Sequence, residues 1–211
     1  MNETEQRQAL VEHGRRMNVV GINQGKSGSL SVRLGDGFLV TPSAIAYEAM
    51  QPDDIVKMRW DGTYDGKRRP STEWRLHRDI YVQRKDASAI VHAHAMFATT
   101  LACLDREIPA FHYMVAMAGG DNIPCAPYAT FGSQELSDAT VTALEGRRAC
   151  LMSHHGMVAF SDALPAALAL AVEVETLSAM YWRALQIAPP TVLPGEEMAR
   201  VLAKFATYGK A

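Results

Sequence analysis

Cysteine is scarce in this sequence, and the three that occur are scattered. Cys103, Cys125 and Cys150 are odd in number and show no CxxC spacing. That arrangement argues against a disulfide framework and against a cysteine zinc site. Each lies among apolar neighbours, so we expect three buried, unreactive thiols.

An excess of one charge and long apolar runs are also missing. The formal net charge is −2 over 211 residues, with no basic stripe, which argues against a nucleic-acid partner. No apolar run approaches the length of a membrane span, and the polar segment 1–16 does not resemble a signal peptide. The sequence therefore predicts a soluble, cytoplasmic protein with no membrane partner.

Linkers, repeats and low-complexity segments are absent as well, so residues 1–211 are expected to form a single domain with one substantial core. Hydrophobic periodicity and turn signals predict a mixed α/β fold, in which helices pack around short, largely antiparallel strands. Predicted helices span 5–17, 71–84, 96–104, 109–118, 133–144, 165–187 and 196–205, with a short loop and helix over 42–50. Predicted strands span 30–34, 38–41, 55–60, 89–94, 123–128, 149–153 and 157–160, and prolines place 123–128 at a sheet edge.

The strand predicted over 89–94 ends in two histidines. His92 and His94 are two residues apart, so their side chains project to the same side of the strand. Two such imidazoles can form half of a metal site, although two hydrogen-bonded histidines without a metal explain the pair equally well. His154 and His155 lie in a predicted turn and offer a third ligand, and the spacing does not choose between them. Three histidines with one open position are typical of a catalytic zinc site.

One carboxylate and two tyrosines are candidates for proton transfer. Glu73 follows Ser71 and Thr72 at a predicted helix start, where it is a candidate fourth ligand or general base. Tyr113 and Tyr208 are candidate proton donors, although packing is the commoner role of tyrosine at half-buried positions.

A glycine-rich stretch, 21–29, nearly matches a Walker A motif. Gly21 and Gly25 are separated by three residues where the motif needs four, and a strand rather than a helix follows. A nucleoside triphosphate site is therefore disfavoured. The backbone amides of such a turn can still bind an anion beside Lys26, or the turn can simply be tight and bind nothing.

The most specific signal is a set of short motifs in a fixed order. They are Ser27-Gly28, Thr41-Pro42-Ser43, Pro70-Ser71-Thr72-Glu73-Trp74, Val91-His92-Ala93-His94, Ile108-Pro109-Ala110-Phe111-His112-Tyr113, Gly119-Gly120-Asp121, Ala126-Pro127-Tyr128-Ala129-Thr130-Phe131-Gly132, His155-Gly156-Met157 and Lys204-Phe205-Ala206-Thr207-Tyr208-Gly209. Together they resemble the class II aldolase/adducin family over residues 21–208. The resemblance implies a three-layer αβα fold and a zinc-dependent enzyme. Such an enzyme reversibly cleaves a ketose 1-phosphate, such as L-fuculose 1-phosphate, to dihydroxyacetone phosphate and an aldehyde.

The resemblance also implies roles for individual residues. One Zn²⁺ per subunit would bind to His92, His94 and His155. Glu73 would be the acid/base residue and would also bind the metal when no substrate is present. Tyr113 would donate a proton to the aldehyde oxygen from a neighbouring subunit, because the family forms homotetramers with sites at subunit interfaces.

Two substrate pockets follow from the same resemblance. The implied phosphate pocket consists of Gly28, Ser29, Ser43, Ala44, Ser71 and Thr72. The implied aldehyde pocket consists of Phe131, Phe205 and Tyr208, with Tyr208 on a C-terminal tail, about 195–211, that folds over the site.

Four residues depart from the family pattern. Lys26 and Ser29 stand in a loop that is usually Thr-Ser-Gly-Asn, Ala44 stands where glycine is common, and His154 stands where asparagine is common. The missing asparagine removes an amide near the phosphate or the enediolate oxygens. Either the charge of Lys26 compensates or the bound group differs, and we expect Lys26 to contact the phosphate.

The family's fold also carries other activities. The alternatives are an aldolase for 5-deoxyribulose or 5-methylthioribulose 1-phosphate in salvage, an epimerase, a dehydratase, a decarboxylase, or a metal-free interaction module of the adducin type. The intact histidines and Glu73 argue against the last. Neither the aldehyde nor the choice of Zn²⁺ over Mn²⁺, Co²⁺ or Fe²⁺ can be read from the sequence.

Overall fold

One eight-stranded sheet organises the fold, as described by a computed structural model for residues 1–207. The strands are β1 (Ser29–Leu34), β2 (Gly37–Val40), β3 (Val56–Arg59), β4 (Tyr64–Asp65), β5 (Ala89–Ala93), β6 (Ile108–Pro109), β7 (Asn122–Ile123), β8 (Cys125–Ala126), β9 (Ala149–Met152) and β10 (Gly156–Ser161). The order in the large sheet is β4-β3-β2-β1-β5-β10-β9-β8, and β6 pairs with β7 separately. Only the β8–β9 pair of the large sheet is parallel among these strands, so the prediction of a largely antiparallel sheet is confirmed.

Helices cover both faces of this sheet. They are α1 (Glu3–Val19), α2 (Trp74–Gln83), α3 (Met96–Ala102), α4 (Gln134–Ala143), α5 (Leu164–Ile187) and α6 (Gly195–Thr207), with 3₁₀ helices at Pro52–Asp54 and Tyr113–Ala118. Apolar residues of α1, α3 and α5 form one core cluster against the sheet, and those of α2 and α4 form a second. The three-layer αβα architecture is therefore confirmed.

The alternation along β5 shows how the sequence fills both clusters. Ala89, Val91 and Ala93 join the cluster under α1, α3 and α5, whereas Ile90 joins the cluster under α2 and α4. His92 follows the alternation and shares the face of Ile90. Because β5 lies between β1 and β10, its backbone is hydrogen-bonded on both sides, which fixes the position of His92 firmly.

The long helix α5 contradicts the expectation that no apolar segment approaches the length of a membrane span. Leu164–Ile187 is 24 residues long and, by length and composition alone, apolar enough to cross a membrane. Half of its most apolar window is buried inside the protein, where Leu168, Ala171 and Val174 pack against the sheet. The helix is apolar because it is the central core helix of its layer, and Pro165 lies in its first turn, where proline is tolerated.

Three predicted elements are wrong because proline and short-range turns interrupt them. The helix predicted over 109–118 is instead strand β6 followed by the 3₁₀ helix Tyr113–Ala118, which ends where Gly119 takes φ +96°. Residues 42–50 form turns rather than a short helix. The strand predicted over 123–128 is split at Pro124 into β7 and β8, and β8 is the edge strand that its prolines predict.

Two further expectations need correction. Helix α2 begins at Trp74, because Ser71 instead forms a turn in which its hydroxyl accepts the Glu73 N–H at 3.2 Å. Of the cysteines only Cys150 is fully buried, whereas Cys125 is half-buried and Cys103 is exposed at the end of α3.

A buried polar chain joins α2 to the first strand. The two ring nitrogens of His77 lie 2.8 Å from the Ser29 hydroxyl and 2.7 Å from the Ser31 hydroxyl, and Ser31 also bonds the Tyr81 hydroxyl at 2.8 Å. All four residues are fully buried. Burial lowers the pKa of His77 to about 3, so the ring is neutral at pH 7 and both ring nitrogens are paired.

This burial should make the free energy of unfolding depend on pH. In the unfolded chain His77 regains a pKa of about 6.5, so the unfolded state binds more protons than the folded state below that pH. The contribution of the neutral, buried His77 to the free energy of unfolding is therefore fully present above about pH 6.5, and it is lost as the pH falls toward 3. In urea unfolding, His77→Gln should reduce the loss between pH 7 and pH 5 by about 2 kcal/mol. His13→Gln, at a half-buried histidine of α1, is the control, and an equal loss in all three proteins would contradict the assignment.

Candidate active site

Three histidine rings meet at the end of β5. One ring nitrogen from each of His92, His94 and His155 lies within 4.8 Å of the other two. The ring centroids are 4.9–5.0 Å apart, and the planes are steeply inclined to one another. The structure thus brings together His92 of β5, His94 directly after that strand, and His155 from the turn between β9 and β10. His154 lies outside this histidine triad.

The chemistry of the histidine triad suits a divalent metal ion. The Nδ1 atom of His92 lies 2.9 Å from the Met157 carbonyl oxygen, which makes Nδ1 the donor and leaves Nε2 free as a ligand. A carbonyl behind a ligating ring is the usual arrangement in metal sites. Three imidazoles with room for a further ligand can hold a catalytic metal.

Burial keeps these imidazoles neutral, as metal ligation requires. Desolvation lowers the pKa of His92 well below its usual range and lowers that of His94 to about 4. The pKa of His155 is also lowered by desolvation, although the nearby Glu73 carboxylate opposes this. Since all three are neutral at pH 7, no proton has to be displaced before a cation binds.

Two glycines allow the backbone to close around the histidine strand. A Cβ atom on Gly28 would lie 2.6 Å from the His92 carbonyl oxygen, and one on Gly156 would lie 2.5 Å from the Ala93 carbonyl oxygen. Gly28 also takes φ +70°, which favours glycine. These contacts explain why glycine stands at the end of the glycine-rich loop and directly after His155.

The triad opens on a cavity of about 560 Å³. The residues that line it are Lys26, Ser27, Gly28, Pro42, Ser43, Ala44, Ser71, Thr72, Glu73, His92, His94, Tyr128, Ala129, Phe131, His154 and His155. Most of the predicted phosphate residues, the predicted metal ligands and Phe131 therefore share one cavity. Both the glycine-rich loop and the turn before α2 contribute to it, so segments far apart in sequence face the same space.

Glu73 is held in the wall of this cavity. Its side chain is nearly fully buried, and one carboxylate oxygen accepts the Gly132 N–H at 3.2 Å. The Thr72 hydroxyl lies 3.4 Å from the other oxygen. Glu73 is not part of the close histidine group, but it lines the same cavity and lowers the cost of charge on His155. A fixed carboxylate beside a metal site can transfer protons to a substrate.

Four predicted site residues are not in this cavity. The Ser29 hydroxyl points into the core toward His77, so its side chain is not available to a phosphate. Tyr113 and Phe205 stack with centroids 6.4 Å apart and line a second cavity of about 1070 Å³. Tyr208 lies outside the described residues.

Tyr128 and Ser27 line the cavity but were not predicted as site residues. Tyr128 is exposed, and its ring lies 6.0 Å from His154 in an edge-on arrangement. The available signal for Tyr128 was its position three residues before Phe131, in the loop that follows edge strand β8. Ser27 was marked only by its place in the glycine-rich loop.

Comparison with known proteins places this chain and its fold in one family. The profile of the family described as class II aldolase and adducin N-terminal domain matches residues 8–182. The 5-methylthioribulose-1-phosphate/5-deoxyribulose-1-phosphate aldolase of Rhodospirillum rubrum is 55% identical over 203 residues, covering 96% of this chain and 92% of that protein. The L-fuculose phosphate aldolase of Escherichia coli is 49% identical over 194 residues, covering 92% and 90%. A solved L-fuculose 1-phosphate aldolase structure superimposes with a TM-score of 0.93 at 38% identity, covering 96% of both chains.

The chain belongs to the class II aldolase and adducin family, and it is an enzyme of the aldolase class rather than an adducin-type interaction module. Enzymes of this class depend on a metal ion, and the histidine triad can hold one.

The triad predicts a sharp difference between two neighbouring histidines. Removing a residue that only hydrogen-bonds to a metal ligand typically weakens metal binding 10- to 100-fold. His155→Ala removes a proposed ligand, so it should weaken divalent metal binding by more than that factor. His154→Ala is the matched control and should bind the metal like the wild type. Equilibrium dialysis with Zn²⁺ at pH 7 measures both. Equal loss in the two variants would contradict the assignment.

Proposed function

We propose that this protein is a zinc-dependent aldolase that reversibly cleaves a ketose 1-phosphate to dihydroxyacetone phosphate and a small aldehyde. The observation that carries the proposal is the shared cavity, in which the histidine triad and the Glu73 carboxylate face a loop of glycine and serine residues. A site of this composition combines a metal ion, a proton-transfer group and an anion-binding loop.

The phosphate is proposed to bind where hydroxyls and backbone amides line the cavity. Gly28, Ser43, Ala44, Ser71 and Thr72 all lie there. Backbone conformations with positive φ at Gly28 (+70°) and Ala44 (+64°) suit amide groups that turn toward an anion. Fixing the phosphate would position the reacting carbons beside the triad.

Proton transfer is assigned to Glu73 and Tyr113. A Zn²⁺ ion, one per subunit, would supply positive charge that stabilises the negative charge developing as the carbon–carbon bond breaks. Tyr113 accepts the proton of the C4 hydroxyl, C4 becomes the aldehyde carbon, and Glu73 delivers a proton to C3. One proton leaves the substrate and one enters it, so the exchange is balanced, and the condensation reverses both steps.

The position of Tyr113 supports an assembly of several subunits. Within one chain Tyr113 is half-exposed and lines the second cavity rather than that of the triad. For Tyr113 to serve as the proton donor, a neighbouring copy has to supply it. We therefore propose a homotetramer with sites at subunit interfaces, located in the cytoplasm.

The aldehyde end is proposed to be small and apolar. Phe131 and Tyr128 expose their rings at the cavity, and such surfaces favour methyl or methylthio groups over charged ones. The relatives named for 5-methylthioribulose 1-phosphate and 5-deoxyribulose 1-phosphate include one with 55% identity, against 49% for the fuculose phosphate enzyme of Escherichia coli. We therefore place the two ribulose phosphates first and L-fuculose 1-phosphate second. Epimerase, dehydratase and decarboxylase activities rank below these, because the named relatives are aldolases.

Glu73→Gln tests the reaction directly. Because general acid–base catalysis typically contributes 10²- to 10⁴-fold, kcat for dihydroxyacetone phosphate release should fall by about that factor. Release from each of the three ketose phosphates is followed with a coupled reductase, with and without a chelator. Glu145→Gln, at an exposed glutamate after α4, is the control. A zinc-loaded wild type that releases no dihydroxyacetone phosphate from any of the three would refute the proposal.

Lys26→Ala tests the phosphate pocket. Lys26 lines the cavity, while the Ser29 hydroxyl is turned away, so the lysine is the group available to offset the phosphate charge. Its removal should raise KM about tenfold, which corresponds to about 1.4 kcal/mol of binding free energy. It should leave kcat nearly unchanged, because the contact with the phosphate is made equally in the ground state and in the transition state. Lys85→Ala, at an exposed lysine after α2, is the control. A bound-phosphate structure with Lys26 directed to solvent would contradict the contact.

A further inference from the structure

The three histidines of the triad are not held in the same way. The His92 ring is fixed by its own hydrogen bond to the Met157 carbonyl oxygen. Within residues 1–207, the rings of His94 and His155 have no such hydrogen bond to the protein. His94 is also the most exposed of the three. The placement of these two rings therefore depends on the backbone segments that carry them.

Helix α3 connects those two segments. It begins at Met96, two residues after His94, so its first turn sets the direction in which the His94 backbone leaves the sheet. At its other end the Ala102 carbonyl oxygen accepts the His154 N–H at 3.2 Å, directly beside His155. The Ser153 hydroxyl also donates a short hydrogen bond to the Asp105 carboxylate just after the helix. A shift of α3 would move both ligand-bearing segments.

The start of α3 is fixed from another element. Its N-cap residue, Ala95, has no side-chain acceptor for the free N–H groups of the first turn. The Glu175 carboxylate on α5 supplies one, accepting the Phe97 N–H at 2.9 Å and the Ala98 N–H at 2.8 Å. Its two oxygens thus each take one donor, and its negative charge matches the positive end of the helix dipole.

Apolar contacts reinforce the same junction. The Phe97 and Trp182 rings lie 5.6 Å apart, and the Arg183 guanidinium lies 4.9 Å from the Phe97 ring centre. Trp182 and Arg183 follow Glu175 on α5 at a spacing of about two helical turns, so they lie on the same side of that helix. The central core helix therefore holds α3 at several points.

We infer that Glu175 is a positioning residue for the metal site: by fixing the first turn of α3, it holds His94 and His155 at the separation that one metal ion needs. Asp105 does the same at the far end of α3 through Ser153. This inference rests on the proposed metal site and extends it beyond the ligands. It explains a half-buried carboxylate that no step of the proposed reaction uses.

The test measures the geometry and affinity of the site rather than activity. Co²⁺ is titrated into the apoprotein at pH 7, and its visible absorption reports the coordination geometry. Glu175→Ala should raise the dissociation constant about 10- to 100-fold and change the Co²⁺ spectrum, as expected for a group that orients ligands. Glu175→Gln keeps one acceptor oxygen and should give a smaller change in the same direction. Asp105→Asn provides an independent perturbation from the other end.

The controls separate positioning from general stability. Glu173→Gln changes a half-buried glutamate on the same helix whose charge interacts with His112, and it should leave binding unchanged. Variants that lower the melting temperature but keep the wild-type Co²⁺ affinity and spectrum would overturn the inference and leave the metal site standing. A wild type that binds no Co²⁺ would overturn the metal site and the inference together. The inference is supported if Co²⁺ affinity falls more in Glu175→Ala than in Glu175→Gln and does not change in Glu173→Gln.

Discussion

The close approach of three strands around His92 is the constraint on which the rest of the site depends. Strand β5 is paired on both sides, and side chains at Gly28 or Gly156 would collide with carbonyl oxygens of β5 at 2.6 and 2.5 Å. Because only glycine fits there, the glycine-rich loop and the histidine turn both come within reach of His92. The geometry of the histidine triad is thus set first by how closely the backbone segments pack, and only then by the choice of side chains.

Sequence periodicity could predict those elements that are formed by residues close together in the chain. The strand that carries His92, the largely antiparallel strands with helices packed around them, and the edge position of β8 follow from alternation and turn residues that occur within about ten positions of one another. The helix predicted over 109–118 failed because its apolar pattern is shared by a short strand and a 3₁₀ helix, and periodicity does not separate these over so few residues.

Contacts between distant segments could not be predicted in this way. The family resemblance implied that Ser29 belongs to a phosphate pocket, yet its hydroxyl is hydrogen-bonded to His77, 48 positions away. Likewise Ala95 gives no capping signal, because the acceptor for α3 is Glu175 on another helix. Spacing alone also left open the choice between His154 and His155. In the structure it is His155 whose ring nitrogen lies within 4.8 Å of those of His92 and His94.

Backbone strain is concentrated at the same site. Within residues 1–207, the non-glycine residues with positive φ are Ala44 (+64°), Asp105 (+52°) and His154 (+51°). Ala44 and His154 line the cavity, and Asp105 bonds Ser153 behind the histidine turn. Left-handed conformations cost about 1–2 kcal/mol for such residues, and glycine or asparagine tolerates them best. This cost gives a physical reason for the expectation that glycine suits the position of Ala44 and asparagine suits that of His154. In this chain the surrounding hydrogen bonds have to hold these turns against that cost, and strain that persists in this way is a feature of sites whose geometry is fixed for function.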